Sequence, residues 1–253
     1  MPPSGALIFK LEQAFFRADV DYAEVQQLVR SEQPDQAGLP AAPGWVSTML
    51  PLRRKLGRKA YANLRSKGES IAERLESQAL SSAQMHPGVV KMLEQVRDTG
   101  WWVVGATDMG KKPVNDFLKA KSLSQYMNLV VARTRLDEEG LLAKRLKPVQ
   151  SRLKTLANSV YFCNSSREVV EAKALGMKCF VLPSPVEPFR TLYQAGPDGI
   201  ILSLDEVPAL LSLPAMKLPE TPRPTVKERA PRRRKKDRTE SRGPATPNRL
   251  RPN

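Results

Sequence analysis

Short apolar runs alternate along the chain with longer stretches in which apolar residues recur every three or four positions. The runs lie at 6–11, 101–105, 128–132, 159–163, 178–182 and 199–203. A short continuous apolar run between helices reads as a strand buried on both faces. Residues 19–31 place Val20, Val25, Leu28 and Val29 at helical spacing, and residues 52–80 carry a broken stripe of Leu56, Ala60, Leu64, Ile71 and Leu75. Further helices are predicted near 88–98, 111–121, 149–157 and 166–175, with Gly100 and Gly176 suited to ending two of them. Residues 32–46 are rich in Pro and Gly and read as a loop. Such alternation predicts an α/β fold: a doubly wound parallel sheet, Rossmann-like, with helices on both faces. The helical block at 19–80 interrupts the alternation after the first strand and reads as an inserted helical cap. The expected organisation is therefore a core of 1–18 and 81–213, a cap of 19–80, and a tail of 214–253.

Charge sharpens the picture of that tail. The 253 residues carry a formal net charge of +15, and the stretch from Lys217 to Asn253 alone contributes 13 Lys/Arg against 4 Asp/Glu. It also holds seven of the 22 prolines and almost no apolar residues. Such a segment cannot bury enough surface to offset its ordering entropy, so it is expected to be disordered. Its run Arg232, Arg233, Arg234, Lys235, Lys236 is a polyelectrolyte. Each phosphate it neutralises releases a counterion, so non-specific, salt-dependent contact with nucleic acid or a ribonucleoprotein is expected. The run contains no aromatic residue for base stacking, so it carries no sequence-reading content. The plain alternatives are a solvated tail, or a nuclear address in a eukaryotic host.

A second basic cluster lies in the expected cap. Arg53, Arg54, Lys55, Arg58, Lys59, Arg65 and Lys67 fall close together, with Tyr61 among them. On a helix, Arg54, Arg58, Tyr61 and Arg65 share roughly one side. That side is either an ordinary solvated face or a basic patch acting with the tail on one polyanion. Trp45, just upstream, is either a core anchor or an exposed stacking group.

Other classes receive little support. No apolar run is long enough to span a bilayer, and the N-terminus lacks the pattern of a secretory signal, so a cytoplasmic, non-membrane protein is expected. Cys163 and Cys179 sit in strand-like runs and read as buried, reduced thiols. His86, the single histidine, cannot build a zinc site alone.

Four stretches, in order, resemble the motifs of the haloacid dehalogenase-like (HAD-like) hydrolases. Ala6-Leu-Ile-Phe-Lys10-Leu-Glu12 resembles the family's first strand, which ends in Asp-x-Asp-Gly-Thr. His86-Pro-Gly-Val, followed by a helix, Gly100 and the strand ending Ala106-Thr107-Asp108, is similar to the second motif. Leu146-Lys147-Pro148 resembles the third, and Val160-Tyr-Phe-Cys-Asn164-Ser-Ser-Arg-Glu168 through Gly176-Met177 the fourth. The closing strand and helix after Gly199 also resemble the family's last pair, so the likeness spans most of 6–213. It implies a Rossmann-like core with a cap, as in the capped phosphatase-type branch. It also implies a phosphoryl site with Thr107 and Lys147 on the phosphate and magnesium on the carboxylates.

The departures all fall on the reaction. Lys10 stands where the family has its aspartate nucleophile, Glu12 where it has the general acid/base, and Asn164 and Glu168 at the acidic metal-ligand positions. An ammonium cannot form an acyl phosphate or ligate a divalent cation, and the site loses most of its formal negative charge. No catalytic residue and no cofactor are expected, magnesium being implied only if the chain is a hydrolase. The expected arrangement puts the Lys10 ammonium roughly where magnesium would sit, paired with Glu12 or Glu168, because an unpaired buried amine is costly. That pair either stabilises a silent pocket or helps Lys10, Thr107 and Lys147 form a metal-free anion or phosphate niche. The function expected from these residues is a catalytically inactive scaffold that contacts nucleic acid. The alternatives are a weakly active phosphoric monoester hydrolase and an adaptor for an acidic protein.

Overall fold

The computed structural model describes residues 5–32, 52–53, 55–134, 142–183 and 187–212. The expected tail with Arg232, Arg233, Arg234, Lys235 and Lys236, the loop with Trp45, and Arg54 lie outside the described residues.

Six parallel strands form one sheet: β1 (Ala6–Lys10), β4 (Trp102–Gly110), β5 (Leu129–Arg133), β6 (Val160–Cys163), β7 (Lys178–Val181) and β8 (Gly199–Ile200). Their order is β5-β4-β1-β6-β7-β8. Every residue of β1 is buried, as a central parallel strand requires. Alternate residues serve opposite faces. Leu7 and Phe9 pack with Phe162, Val103, Met92 and Phe117 on one face. Ala6 and Ile8 pack with Val104, Tyr161, Cys163, Val169 and Cys179 on the other. The first face is built around aromatics: Phe9 and Phe162 stack at 4.6 Å between centroids and 8° between planes. Phe162 also approaches Phe180 at 5.9 Å. The doubly wound α/β architecture predicted from the apolar runs is thus present.

Helices cover both faces. On the side of Phe9 and Phe162 lie α4 (Val89–Val96), α5 (Lys111–Ala120) and the residues of α10 (Val207–Ser212). Opposite them lie α6 (Leu142–Arg145), α7 (Lys147–Leu153), α8 (Ser166–Ala174) and α9 (Phe189–Gln194). Gly176 ends α8 with φ 78, a left-handed conformation that suits a residue without Cβ.

Between β1 and β4 the chain makes an excursion. A short turn of helix, α1 (Leu11–Ala14), leads into β2 (Phe16–Arg17), which pairs antiparallel with β3 (Gln84–Met85). The excursion therefore leaves and re-enters through one ribbon, tightened by the His86 N–H donating to Phe15 O at 2.8 Å. The described helices within it are α2 (Ala23–Ser31) and the 26-residue α3 (Gly57–Ser82). They join through Val29, Leu52, Tyr61 and Leu64.

Several predicted boundaries shift. The strand expected at 101–105 runs on to Gly110, because its pairing with β5 continues past a register irregularity between Ala106 and Gly110. The polar Thr107-Asp108 pair hides that extension from an apolar pattern. The helix expected at 149–157 is Lys147–Leu153, preceded by the separate turn Leu142–Arg145. The last strand stops at Ile200 and gives way to a 3-10 turn, Leu204–Glu206, capped by Ser203. Among the described residues no helix is long and apolar enough to cross a membrane.

Candidate functional site

The strand order reverses at β1. From there the chain builds outward to β4 and β5, then returns to place β6 on the other side. Side chains at the carboxyl ends of β1, β4 and β6 therefore converge at the switch point of the sheet. Lys10 is the last residue of β1, Thr107 and Asp108 lie near the end of β4, and Asn164 follows β6. Glu168 is in the first turn of α8, where a carboxylate is favoured by the helix dipole.

Lys10 is buried at 6% exposure. Its Nζ donates to Glu168 Oε1 at 3.1 Å and to Asp108 Oδ2. Glu168 Oε1 also accepts from the Tyr161 hydroxyl at 3.0 Å. Burial opposes the ammonium, yet Glu168, Glu12 and Asp108 outweigh it even against Arg145, and the Lys10 pKa is raised above the ordinary lysine value. The amine is thus a permanent cation at the tip of the central strand.

Glu12 takes a different part. Its Oε1 accepts from Thr107 Oγ1 at 2.5 Å and from the Asp108 N–H at 2.6 Å. Thr107 Oγ1 in turn accepts from the Met109 N–H at 3.0 Å. The Thr107 hydroxyl is thereby committed on both sides. Burial raises the Glu12 pKa, Lys10 lowers it, Asp108 raises it and Thr107 lowers it, with a net rise above the usual carboxylate value.

Asp108 holds the cluster together. One oxygen meets Lys10 and the other meets Arg145 Nη2. Burial works against its ionisation, but Lys10 and Arg145 hold its carboxyl below the usual range. Its backbone carbonyl accepts from Arg133 Nη1 at 2.8 Å. The same Arg133 nitrogen lies 2.8 Å from Glu76 Oε1, a fully buried carboxylate on α3. Glu76 also accepts from the Tyr22 hydroxyl at 2.8 Å and from the Gly110 N–H at 2.8 Å. The approach is close: a Cβ at Gly110 would stand 3.1 Å from Glu76 Oε2, so a side chain there would press on that carboxylate. One polar chain thus runs from Lys10 through Asp108 and Arg133 to the helical excursion.

Of the residues singled out in the sequence, Lys10, Glu12, Thr107 and Glu168 come together, and Asn164 is buried beside β6. Lys147 begins α7, is exposed, and among the described residues its ammonium makes no ion pair. Arg145, two residues earlier and 10% exposed, supplies the second cation. Asp108 and Arg145 carried a signal the sequence reading passed over: charged residues flanking the carboxyl end of a predicted strand and the third motif.

Arg53 and Arg58 are exposed and Arg65 is half-buried with Glu69 at 3.4 Å, but Tyr61 is buried against Val29, Leu52 and Leu64. Tyr61 lies on the same side of the helix as Arg58 and Arg65, but its ring is taken up by packing and is not offered to a ligand. The two cysteines occupy β6 and β7 with Sγ atoms 3.6 Å apart. They lie diagonally, since Tyr161 rather than Cys163 is opposite Cys179, and both are buried free thiols.

Magnesium, which the family resemblance implies, does not fit these donors. The Lys10 ammonium already lies between Asp108 and Glu168, and Glu12 Oε1 is taken by two hydrogen-bond donors. A divalent ion there would face a fixed positive charge at contact range. Among the described residues no group of His, Cys, Asp or Glu is placed to hold a metal.

No protein-family model matches the chain, and no curated protein does. Solved structures do match. A protein from Clostridium acetobutylicum described as a predicted phosphatase is 15% identical with a TM-score of 0.58, over 83% of this chain and 99% of that one. CbbY from Rhodobacter sphaeroides, determined in complex with phosphate, is 15% identical with a TM-score of 0.53, over 80% and 95%. A haloacid dehalogenase-like family protein from Streptococcus pneumoniae is 15% identical with a TM-score of 0.54, over 81% and 97%. The chain has the fold of the haloacid dehalogenase-like hydrolases.

Proposed function

We propose that this chain is a non-hydrolytic protein on the HAD-like fold, acting as a binding or scaffold module. The observation that carries this reading is the Lys10 ammonium, held by Glu168 and Asp108 at the tip of the central strand. An ammonium there offers no nucleophilic carboxylate, and the Thr107 hydroxyl is already given to Glu12. Covalent phosphoryl transfer needs both a nucleophile and compensation of charge on phosphorus. The nucleophilic carboxylate is missing from the tip of β1, and the two cations of the site, Lys10 and Arg145, are already paired with carboxylates. The purified chain, assayed with magnesium and a generic phosphoester, should show no turnover above background. Turnover that disappears on Thr107→Ala would overturn the reading.

The partner class that fits best is nucleic acid or a ribonucleoprotein. The support is charge: the +9 stretch from Lys217 to Asn253, together with exposed Arg53, Arg58, Lys59 and Lys67 on the helical excursion. Binding should weaken steeply with salt, and deleting 217–253 should flatten the salt dependence by nearly one unit of slope for each lost phosphate contact. Unchanged affinity after that deletion would remove the tail from the reading.

A further inference from the structure

The polyanion contact proposed above draws on charge alone, and charge carries no preference for unpaired bases. Another surface of the chain does. Among the described residues the exposed aromatic rings are Phe189 and Tyr193, at 54% and 67% exposure. Both lie on α9, one turn apart on the same side. Leu192 takes the inward side of that helix and is buried in the core face that holds Val169 and Val181. The two rings are thereby left to solvent, with centroids 6.5 Å apart and planes inclined by 18°.

Charge on the same helix is the second observation. Arg190 lies between the rings in sequence and one turn from Tyr193, is exposed, and makes no ion pair among the described residues. The nearest acid along the chain, Glu187, is turned to α8, where its Oε2 accepts from the Ser166 N–H at 2.9 Å. One small surface therefore presents two near-parallel π-faces and a cation free of an ion pair.

That combination selects among occupants. Unpaired nucleobases stack on exposed aromatic rings whatever their sequence, and an arginine beside the rings meets the phosphate that links them. Bases inside a duplex have both faces covered and cannot use such rings. A second copy of this chain fits less well. Two part-covered rings offer about 300 Å² at most, against about 800 Å² per partner in a stable interface. A two-fold contact centred here would also set Arg190 against its own equivalent. We infer that Phe189, Arg190 and Tyr193 form a stacking surface for single-stranded nucleic acid. The inference rests on the nucleic-acid reading above and deepens it: the basic segments hold phosphate, and this surface favours strands whose bases are unpaired.

Fluorescence anisotropy on the full chain tests it, with an oligothymidylate of about sixteen nucleotides and a GC-rich duplex of about sixteen base pairs as probes. The double variant Phe189→Leu, Tyr193→Leu keeps apolar area and removes both rings. It should weaken the single strand by about tenfold or more, as expected for losing stacked bases, and leave the duplex unchanged. Equal weakening of both probes, or of neither, would overturn the stacking surface and leave the nucleic-acid reading standing. Binding of neither probe by the wild type would overturn both. A wild-type dimer that the double variant abolishes would assign the rings to a second copy and overturn the inference. If the variant does not fold, ring resonances of the wild type decide. The oligothymidylate should shift those of Phe189 and Tyr193 together, and shifts confined to the basic segments would overturn the inference.

Discussion

Lys10 Nζ stands 3.1 Å from Glu168 Oε1, joining the tip of the central strand to the first turn of the helix that follows β6. With Asp108 on its other side, the amine links β1, β4 and α8 into one charged knot. Replacing Lys10 by Met keeps the apolar stem and removes the charge. Glu168, Asp108 and Glu12 then crowd together without a cation. The unfolding free energy at neutral pH should fall by about 3 kcal/mol, the lower end for a broken buried pair because Asp108 is 58% exposed and partly screened. Urea titration of both forms reads the difference. A loss within experimental error would mean that the knot contributes nothing net.

The pH dependence of that penalty follows from the directions of the shifts. The Lys10 pKa is raised, so its contribution is complete below the ordinary lysine value and is lost only as pH rises through the raised one. The Asp108 pKa is lowered, so its contribution is present above the ordinary carboxylate value and is lost as pH falls through the lowered one. The difference between wild type and Lys10→Met should therefore persist at and above neutral pH until Lys10 itself deprotonates, and should shrink as pH falls and the crowded carboxylates of the variant, no longer held down by Lys10, take up protons. Denaturation curves across the pH range check this, and a difference that stays level as pH falls contradicts it.

Glu12 works in the opposite sense. Burial raises its pKa more than Lys10 and Thr107 lower it. Its contribution is complete below the ordinary glutamate value and is lost as pH rises through the raised one. Glu12→Gln keeps an acceptor for Thr107 and removes the titration. The variant should lack the decline in stability that the wild type shows on leaving acid pH. Parallel curves for the two proteins would show that Glu12 ionises as it does in the unfolded chain.

Glu76 and Arg133 form the corresponding bond between the helical excursion and the core. Glu76 is fully buried and satisfies the Gly110 N–H and the Tyr22 hydroxyl as well as Arg133. Arg133→Met strands that carboxylate and should cost about 3–5 kcal/mol. Adding Glu76→Gln should recover part of the loss, because a neutral amide is cheaper to leave without a cation. A double-mutant cycle with no coupling would contradict a direct role for the pair.

The core makes a simpler expectation. Phe162 is fully buried, stacks on Phe9 at 4.6 Å and borders Phe180. Phe162→Ala should cost about 3–5 kcal/mol, measured by thermal or chemical unfolding. A loss below 1 kcal/mol would mean the site collapses without a cavity.

The elements most readable from the sequence were those with a single physical cause. Ala6 to Phe9, Val160 to Phe162 and Cys179 to Val181 are apolar at every position because both sheet faces are covered, and their strands followed directly. Thr107 and Asp108 broke that pattern while their backbone continued the ladder, so the end of β4 was missed. The choice between Arg145 and Lys147 depends on where α6 stops and α7 starts, a matter of helix phase that spacing in one sequence does not encode. Tyr61 lies beside Arg58 and Arg65 as its spacing says, but its burial was not legible. Periodicity marks a stripe, but only packing against Val29 and Leu52 decides which side of α3 is inside.

The most direct test of the central claim is nitrogen-15 NMR of the Lys10 ammonium with and without millimolar magnesium. A locked ammonium should stay protonated and slow to exchange well into alkaline pH, and its resonance should not move when magnesium is added. A magnesium-dependent shift or release of that resonance, with the ion bound beside Glu168, would contradict the account.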